Sequence, residues 1–249
     1  MTNSPADIYD RLWNSREYLK QYYSTPEVAD DEAANIAFAR RRFAEAGRAF
    51  SRAIEVGCGP TLHHAMLLAP HVGTLDLADY VPDNLAEIRK SLNGAPDAHD
   101  WSVYLAGMVE PGGLAADQLW ALVMDRAGTL RQMDLRVAQT GSYDLVASYY
   151  TAECVAETRE EWQRCLATLA SLVAPGGVLL LGVVRHCRTY NVCGQVFPAT
   201  YVDEGDFVEV LPALGFPAAD IVIEVAPVAE WVDQGFDSIC CVWAKKRGM

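Results

Sequence analysis

Apolar and polar positions alternate along the chain in two rhythms. Residues 30–47 read as a helix: Asp30 and Asp31 open it, Ile36, Phe38 and Phe43 lie inside it, and Gly47 can end it. Residues 160–173 are amphipathic, with Trp162, Leu166, Leu169 and Leu172 on one face. Further helices are predicted over 61–69, 82–92, 101–108, 115–126 and 204–214; Pro82 takes a first-turn place, and Pro111-Gly112-Gly113 breaks the middle pair. Strands are predicted over 52–56, 73–78, 129–135, 144–148, 178–184, 221–226 and 238–244. The run 178–184 is apolar without interruption, as befits a strand covered on both faces. Residues 185–199 are a polar stretch, and 7–28 are rich in tyrosine.

Strands alternating with helices predict an α/β fold, a mainly parallel sheet with helices on both faces. Two closing strands with no helix between them predict a hairpin at the sheet edge, its last strand antiparallel. No linker or repeat divides the chain, so residues 1–249 are expected to form one domain, with 1–28 as an appendage.

Composition narrows the possible functions. The 249 residues are 51% hydrophobic and 21% charged, in the globular range. A net charge of −13 disfavours nucleic acid and anionic membrane as partners, and leaves a small molecule as the expected one. No apolar run approaches the roughly 20 residues of a membrane span, and the N-terminus lacks a secretory pattern. A cytoplasmic monomer is expected. The seven scattered cysteines, none in CxxC spacing, read as reduced core thiols, and no metal is expected.

The chemistry concentrates after the first strand, at Glu55-Val56-Gly57-Cys58-Gly59-Pro60-Thr61. In open α/β sheets, ligands bind at the carboxyl ends of strands. Gly57 and Gly59 allow a tight turn and close backbone approach. A dinucleotide fingerprint needs a third glycine where Leu62 stands, and Pro60 removes an N–H that a pyrophosphate would use. The turn therefore suits a nucleoside without pyrophosphate. Asp79, 22 positions after Gly57, can accept both hydroxyls of a ribose; Asp76 is the competing acid. Asn84 stands in the next helix's first turn. Asp134, after the third strand, can accept an adenine amino group.

Tyr18-Leu-Lys-Gln-Tyr22-Tyr23, Gly57-Cys-Gly-Pro-Thr61, Asp79-Tyr80…Asn84-Leu85, Asp100-Trp101-Ser102, Met133-Asp134-Leu135 and Leu172-Val-Ala-Pro175-Gly-Gly177 together resemble one S-adenosylmethionine-dependent family. It contains the nicotinamide, phenylethanolamine, indolethylamine and thioether methyltransferases. The resemblance runs from about Tyr9 to Lys246. It implies a class I methyltransferase, Rossmann-like, with a seven-stranded sheet, an antiparallel last strand and an N-terminal helical lid over residues 1–28. S-adenosylmethionine would be the cofactor and S-adenosylhomocysteine its product. The resemblance assigns Tyr18, Tyr23, Gly57, Cys58, Gly59, Thr61, His63, Asp79, Tyr80, Asn84, Met133, Asp134, Leu135, Ser148 and Tyr149 to the cofactor. Tyr22, Tyr150, Tyr190, Arg185, Arg188 and Asp233 would face the substrate, with 185–202 as a substrate-loop insertion. Tyr18 and His186 are the candidates for catalysis.

The chain departs from the family's pattern after strand 178–184, where an acidic substrate residue is replaced by Val183-Val184-Arg185-His186-Cys187-Arg188. Arg185 and Arg188 would repel a cationic amine. A neutral or carboxylate-bearing small aromatic or heteroaromatic acceptor, methylated at nitrogen, is therefore expected. Methyl transfer needs alignment more than a catalytic dyad. The rival readings are a nucleotide-dependent oxidoreductase on a Rossmann-like sheet and a non-catalytic cofactor-binding domain.

Overall fold

The computed structural model describes residues 5–229 and 232–248. The N-terminal segment folds as two short helices, α1 (Pro5–Leu12) and α2 (Ser15–Tyr22), followed by α3 (Asp30–Ala46). Asn14 caps α2 by accepting from the backbone of Arg16 and Glu17. Gly47, at φ 58°, ends α3 in the left-handed conformation that a glycine adopts without strain.

The alternating part follows the expected order. It runs β1 (Phe50–Val56), α4 (His63–Leu68), β2 (Val72–Asp79), α5 (Pro82–Leu92), α6 (Ser102–Met108), α7 (Ala116–Arg126), β3 (Ala127–Gln132), β4 (Tyr143–Tyr149), α8 (Arg159–Leu172) and β5 (Val173–Val184). After β5 come a hairpin, β6 (Thr189–Val192) and β7 (Gln195–Pro198), then α9 (Glu204–Val210), β8 (Ile221–Pro227) and β9 (Ser238–Lys245).

Seven strands form one sheet in the order β3-β2-β1-β4-β5-β9-β8. β1 to β5 pair in parallel, and β9 runs antiparallel to both β5 and β8. The last strand is thus antiparallel, as expected, but it is inserted between β5 and β8, and β8 takes the edge. The apolar run of β5 explains this. Leu179 and Leu181 pack into one core layer, and Leu180 into the other, as do Cys240 and Val242 against Cys241 and Trp243 in β9. Both strands are buried on both faces, so neither suits an edge.

One layer holds α3 to α7 and the other α8 and α9. Two expectations change. β5 begins at Val173 and passes through Pro175-Gly176-Gly177, with a register shift against β4 between Tyr143 and Leu145. The stretch read as a polar loop contains the β6–β7 hairpin, closed by Cys193 and Gly194, both at positive φ. Among the described residues no helix is long and apolar enough to cross a membrane.

Candidate active site

A cleft of about 1270 Å³, counted with its open mouth, lies at the carboxyl ends of β1, β2, β4 and β5. Its floor is the first βα turn. Gly57 and Cys58 both donate their backbone N–H to the Ala78 carbonyl, at 2.8 and 3.1 Å. Gly57 sits at φ +73°, and a Cβ there would come within 2.1 Å of Thr151 Oγ1. Thr61 Oγ1 donates back to the Cys58 carbonyl at 2.7 Å and closes the turn.

Asp79 lies beside this floor. Its carboxylate accepts from Gly59 N (2.8 Å), Val81 N (2.8 Å) and Asn84 Nδ2 (2.9 Å). Burial pushes its pKa up, against these three hydrogen bonds. A carboxylate offers about four acceptor positions, so one remains for a ligand hydroxyl. The competing Asp76 is engaged elsewhere: it accepts from the Tyr143 hydroxyl and Thr129 N, both at 2.8 Å, away from the cleft.

Met133, Asp134 and Leu135 line the cleft just past the end of β3. Asp134 is gripped by Arg136, Nε to Oδ1 and Nη2 to Oδ2 at 2.8 Å each. Burial raises the acid's pKa, but Arg136 outweighs it and the net shift is downward. The guanidinium also lies 4.9 Å from the Tyr80 ring centroid. An incoming amino group would share Asp134 with Arg136.

The opposite wall is aromatic. Tyr18 packs against Trp13 at 4.7 Å, Tyr22 at 5.1 Å and Tyr23 at 5.6 Å between ring centroids. Helices α1 and α2 are held over the cleft by polar contacts. Asn84 Oδ1 accepts from Trp13 Nε1 and Ser15 Oγ, at 2.8 and 2.6 Å. Tyr9 donates to the Cys154 carbonyl at 3.1 Å and meets the Tyr190 hydroxyl. Gln21 and Tyr22 donate to the Asn191 carbonyl of the hairpin, at 3.0 and 2.6 Å. Tyr150, at φ 52°, accepts from Asn35 Nδ2 at 2.6 Å.

Six of the assigned residues lie off the cleft. His63 is fully buried behind the wall, packed against Tyr23, Trp101 and Tyr104. Ser148 donates its hydroxyl to the Val56 carbonyl at 2.8 Å, inside the sheet. Arg185 points away and pairs with Glu204 through two contacts, 2.7 and 3.2 Å. Arg188 lies over the Tyr201 ring, and His186 stacks on the same ring at 4.7 Å. Asp233 is exposed on a short turn. None of the six lines the cleft. A strand-end arginine beside an acid pairs with it, here Arg185 with Glu204, and Arg188 is taken up by the Tyr201 ring.

The sequence reading also missed acids that are present. Asp31 and Glu32, from the first turn of α3, line the cleft together with His64 from α4. His64 lies between two carboxylates: Nδ1 is 3.0 Å from Glu55 Oε1 and Nε2 is 3.0 Å from Glu32 Oε2. Burial alone would lower its pKa, but the two glutamates lift it to about 9. His64 also stacks on Tyr149, rings 3.6 Å apart. The Tyr23 hydroxyl donates to Glu32 Oε1 at 3.3 Å. No local motif announces this group, because its members come from three separate elements. Trp13, Thr151, Cys154 and Phe236, also on the cleft, were likewise unmarked.

The site thus offers a fixed acid, bare glycine backbone, an apolar slot and electron-rich ring faces. These suit a ligand with vicinal hydroxyls, a flat base and a cationic centre. The family model described as the NNMT/PNMT/TEMT family matches residues 3–247. The chain is 26% identical to indolethylamine N-methyltransferase of Mus musculus, covering 80% of each chain. It is 24% identical to phenylethanolamine N-methyltransferase of Homo sapiens, covering 98% of this chain and 92% of that one. Among solved structures, magnesium protoporphyrin IX methyltransferase of Synechocystis, with bound S-adenosylmethionine, superposes with a TM-score of 0.61 at 15% identity, covering 96% and 94% of the two chains. That last likeness is one of fold.

Proposed function

The chain belongs to the NNMT/PNMT/TEMT family, and from that premise we propose that it transfers a methyl group from S-adenosylmethionine to a nitrogen of a small aromatic or heteroaromatic acceptor. The observation that carries the reading is the Asp79 carboxylate, fixed by Gly59, Val81 and Asn84 beside the aromatic wall. When bound, the cofactor supplies an electrophilic methyl carbon on a positively charged sulfur.

This chain's residues do the rest. Asp79 would hold a ribose hydroxyl through its remaining acceptor position, and the turn at Gly57 and Cys58 would give backbone contacts. Met133 and Leu135 flank the base, and Asp134 meets its amino group. Tyr18 and Tyr23, on the cleft wall, would offer ring faces to the positive charge and exclude water from it. Helices α1 and α2, with the β6–β7 hairpin, hold the acceptor in line with the carbon–sulfur bond. Alignment of this kind is worth about 7–11 kcal/mol of barrier, so no catalytic dyad is required.

The wall changes the expected charge of the acceptor. Arg185 and Arg188 lie outside the cleft, and Arg136, which lines it, is already paired with Asp134. Asp31 and Glu32 face the cleft instead. An acceptor with a basic or hydrogen-bond-donating nitrogen suits those acids, and an anionic one does not.

Calorimetric titration tests the reading. S-adenosylmethionine and S-adenosylhomocysteine should bind, and NAD(P) should not; the reverse result would establish the oxidoreductase. Cofactor binding without turnover on a panel of aromatic amines, heteroaromatics and aromatic acids would leave a non-catalytic domain. Fastest turnover of the aromatic acids would overturn the assignment of Asp31 and Glu32 to the acceptor.

A further inference from the structure

Glu32, His63 and His64 converge behind the cleft wall, and their donor atoms all lie within 4.8 Å of one another. Glu32 presents one oxygen to each imidazole: Oε1 is 3.0 Å from His63 Nε2, and Oε2 is 3.0 Å from His64 Nε2. The His64 contact is a hydrogen bond, whereas the His63 contact, at the same distance, is an ion-pair approach without one. Both nitrogens of His63 are therefore left without a hydrogen-bond partner on a side chain that is 0% exposed. A buried imidazole that satisfies neither nitrogen is costly unless something else is bound there.

We propose that Glu32, His63 and His64 form a binding site for a divalent transition-metal ion, of the Zn²⁺ type. Two imidazoles and one carboxylate are a common donor set for that ion. With metal–ligand distances of about 2.0–2.2 Å, the edges of a tetrahedral site are about 3.3 Å. The 3.0 Å separations run to different oxygens of Glu32, and the donor atoms as a set lie within 4.8 Å, so the three side chains would re-orient by small side-chain shifts to close around the ion.

The surroundings fit as well. Glu55 Oε1 faces His64 Nδ1 at 3.0 Å, the carboxylate–histidine arrangement that orients a metal-bound imidazole. Loading replaces the Nε2 proton of His64 by the ion and leaves the Nδ1–H bond to Glu55 intact. Glu32 and His64 reach the cleft, which gives the ion its way in, and the Tyr23 hydroxyl stands 3.3 Å from Glu32 Oε1 beside the remaining coordination position.

The test is independent of methyl transfer. Chelator-treated full-length protein, in a Cys193→Ser background that removes the exposed thiol, is dialysed against ZnCl₂ and its metal content measured. Binding of about one zinc per chain is expected. His63→Ala should abolish stoichiometric binding. Glu55→Gln should weaken it about 10–100-fold. His186→Ala, distant from the group, should leave it unchanged. Co²⁺ in place of zinc should show the visible bands of a nitrogen- and oxygen-ligated site, and these should vanish in His63→Ala. If His63→Ala fails to fold, His63→Gln is read instead, through loss of the zinc-dependent rise in Tm. Zinc content well below one per chain in the parent, or equal binding by parent and a folded His63 variant, overturns the proposal. Neither result touches cofactor binding or methyl transfer; a bound ion would occupy Glu32 and leave Asp31 as the acid facing the acceptor.

Discussion

The two halves of the cleft are built in different ways. The half at β1, β2 and β3 is backbone work. Gly57, Cys58 and Gly59 are fixed by the Ala78 carbonyl and by Asp79, all within one strand–turn–helix–strand stretch. The half under α1, α2 and the β6–β7 hairpin is assembled from side chains far apart in sequence. Tyr9 reaches Cys154, 145 positions on, and Tyr22 reaches Asn191, 169 positions on. The first kind of site survives changes of side chain and fails on changes of backbone freedom. The second tolerates single losses, because each contact is one of several. We assign the cofactor to the first half and the acceptor to the second.

The sharpest break of this contrast is Gly57→Ala. The new methyl would sit within 2.1 Å of Thr151 Oγ1, at a φ of +73°. Left-handed strain costs about 1–2 kcal/mol and overpacking about 1–3. A loss of about 2–5 kcal/mol is expected in urea unfolding. Adding Thr151→Ala should recover the overpacking part and leave the strain. A Gly57→Ala variant as stable as the parent would refute the backbone account of the first half.

The second half has its own buried anchor. Glu153 is 0% exposed; its Oε1 accepts from Val184 N at 2.9 Å, and its carbonyl accepts from Thr200 N at 2.7 Å. Burial lifts its pKa from 4.5 to about 7. The folded state therefore holds a proton that the unfolded state releases between pH 4.5 and 7. Stability from this group is full below about pH 4.5, falls as pH rises through the window, and is flat above it. The cost at pH 8 is on the order of 3 kcal/mol. Glu153→Gln keeps the acceptor for Val184 and cannot ionise. Its Tm should exceed the parent's at pH 8 and converge with it near pH 4.5. Parallel curves across that range would refute the buried-acid account.

The contrast also explains what could be read in advance. The cofactor half was legible because its signals are local: a glycine turn after an apolar strand, then an acid one strand later. Asp79 over Asp76 followed from position alone. The acceptor half was not. Glu32, Glu55 and His64 belong to α3, β1 and α4, and in each element the residue passes for an ordinary helix-start or strand polar position. The arginines after β5 misled because position along a strand does not reveal which acid lies beside it, here Glu204. The hairpin had one usable signal, Cys193-Gly194 between Thr-Tyr-Asn-Val and Gln-Val-Phe-Pro, since a residue followed by glycine suits a two-residue turn with both φ values positive.

Asp79→Ala sharpens the cofactor side. It removes a charge-assisted acceptor and leaves the glycine turn in place. S-adenosylhomocysteine affinity should fall by about 1–3 kcal/mol, or roughly 5- to 150-fold, by calorimetry. Acceptor KM, measured at saturating cofactor, should hardly move. An unchanged affinity in the folded variant would remove Asp79 from the ribose.

Tyr22→Phe has the smallest expected effect and tests the acceptor side most directly. It deletes only the hydroxyl that donates to the Asn191 carbonyl at 2.6 Å, and it keeps the ring against Tyr18. Gln21 Nε2 still donates to the same carbonyl at 3.0 Å, so that oxygen is not orphaned. The cost is therefore the net value of one hydrogen bond, about 0.5–1.5 kcal/mol. It falls on the joint between α2 and the hairpin, and acceptor KM should rise about 2- to 10-fold while cofactor affinity stays at the parent value. Arg185→Ala is the paired control. Its pair with Glu204 is half-exposed on the acid's side and contributes little, so neither KM nor affinity should change. A rise in acceptor KM for Arg185→Ala with none for Tyr22→Phe would reverse the map of the acceptor half: it would put the substrate on the outer side of β5, against the position of Tyr22 over the cleft.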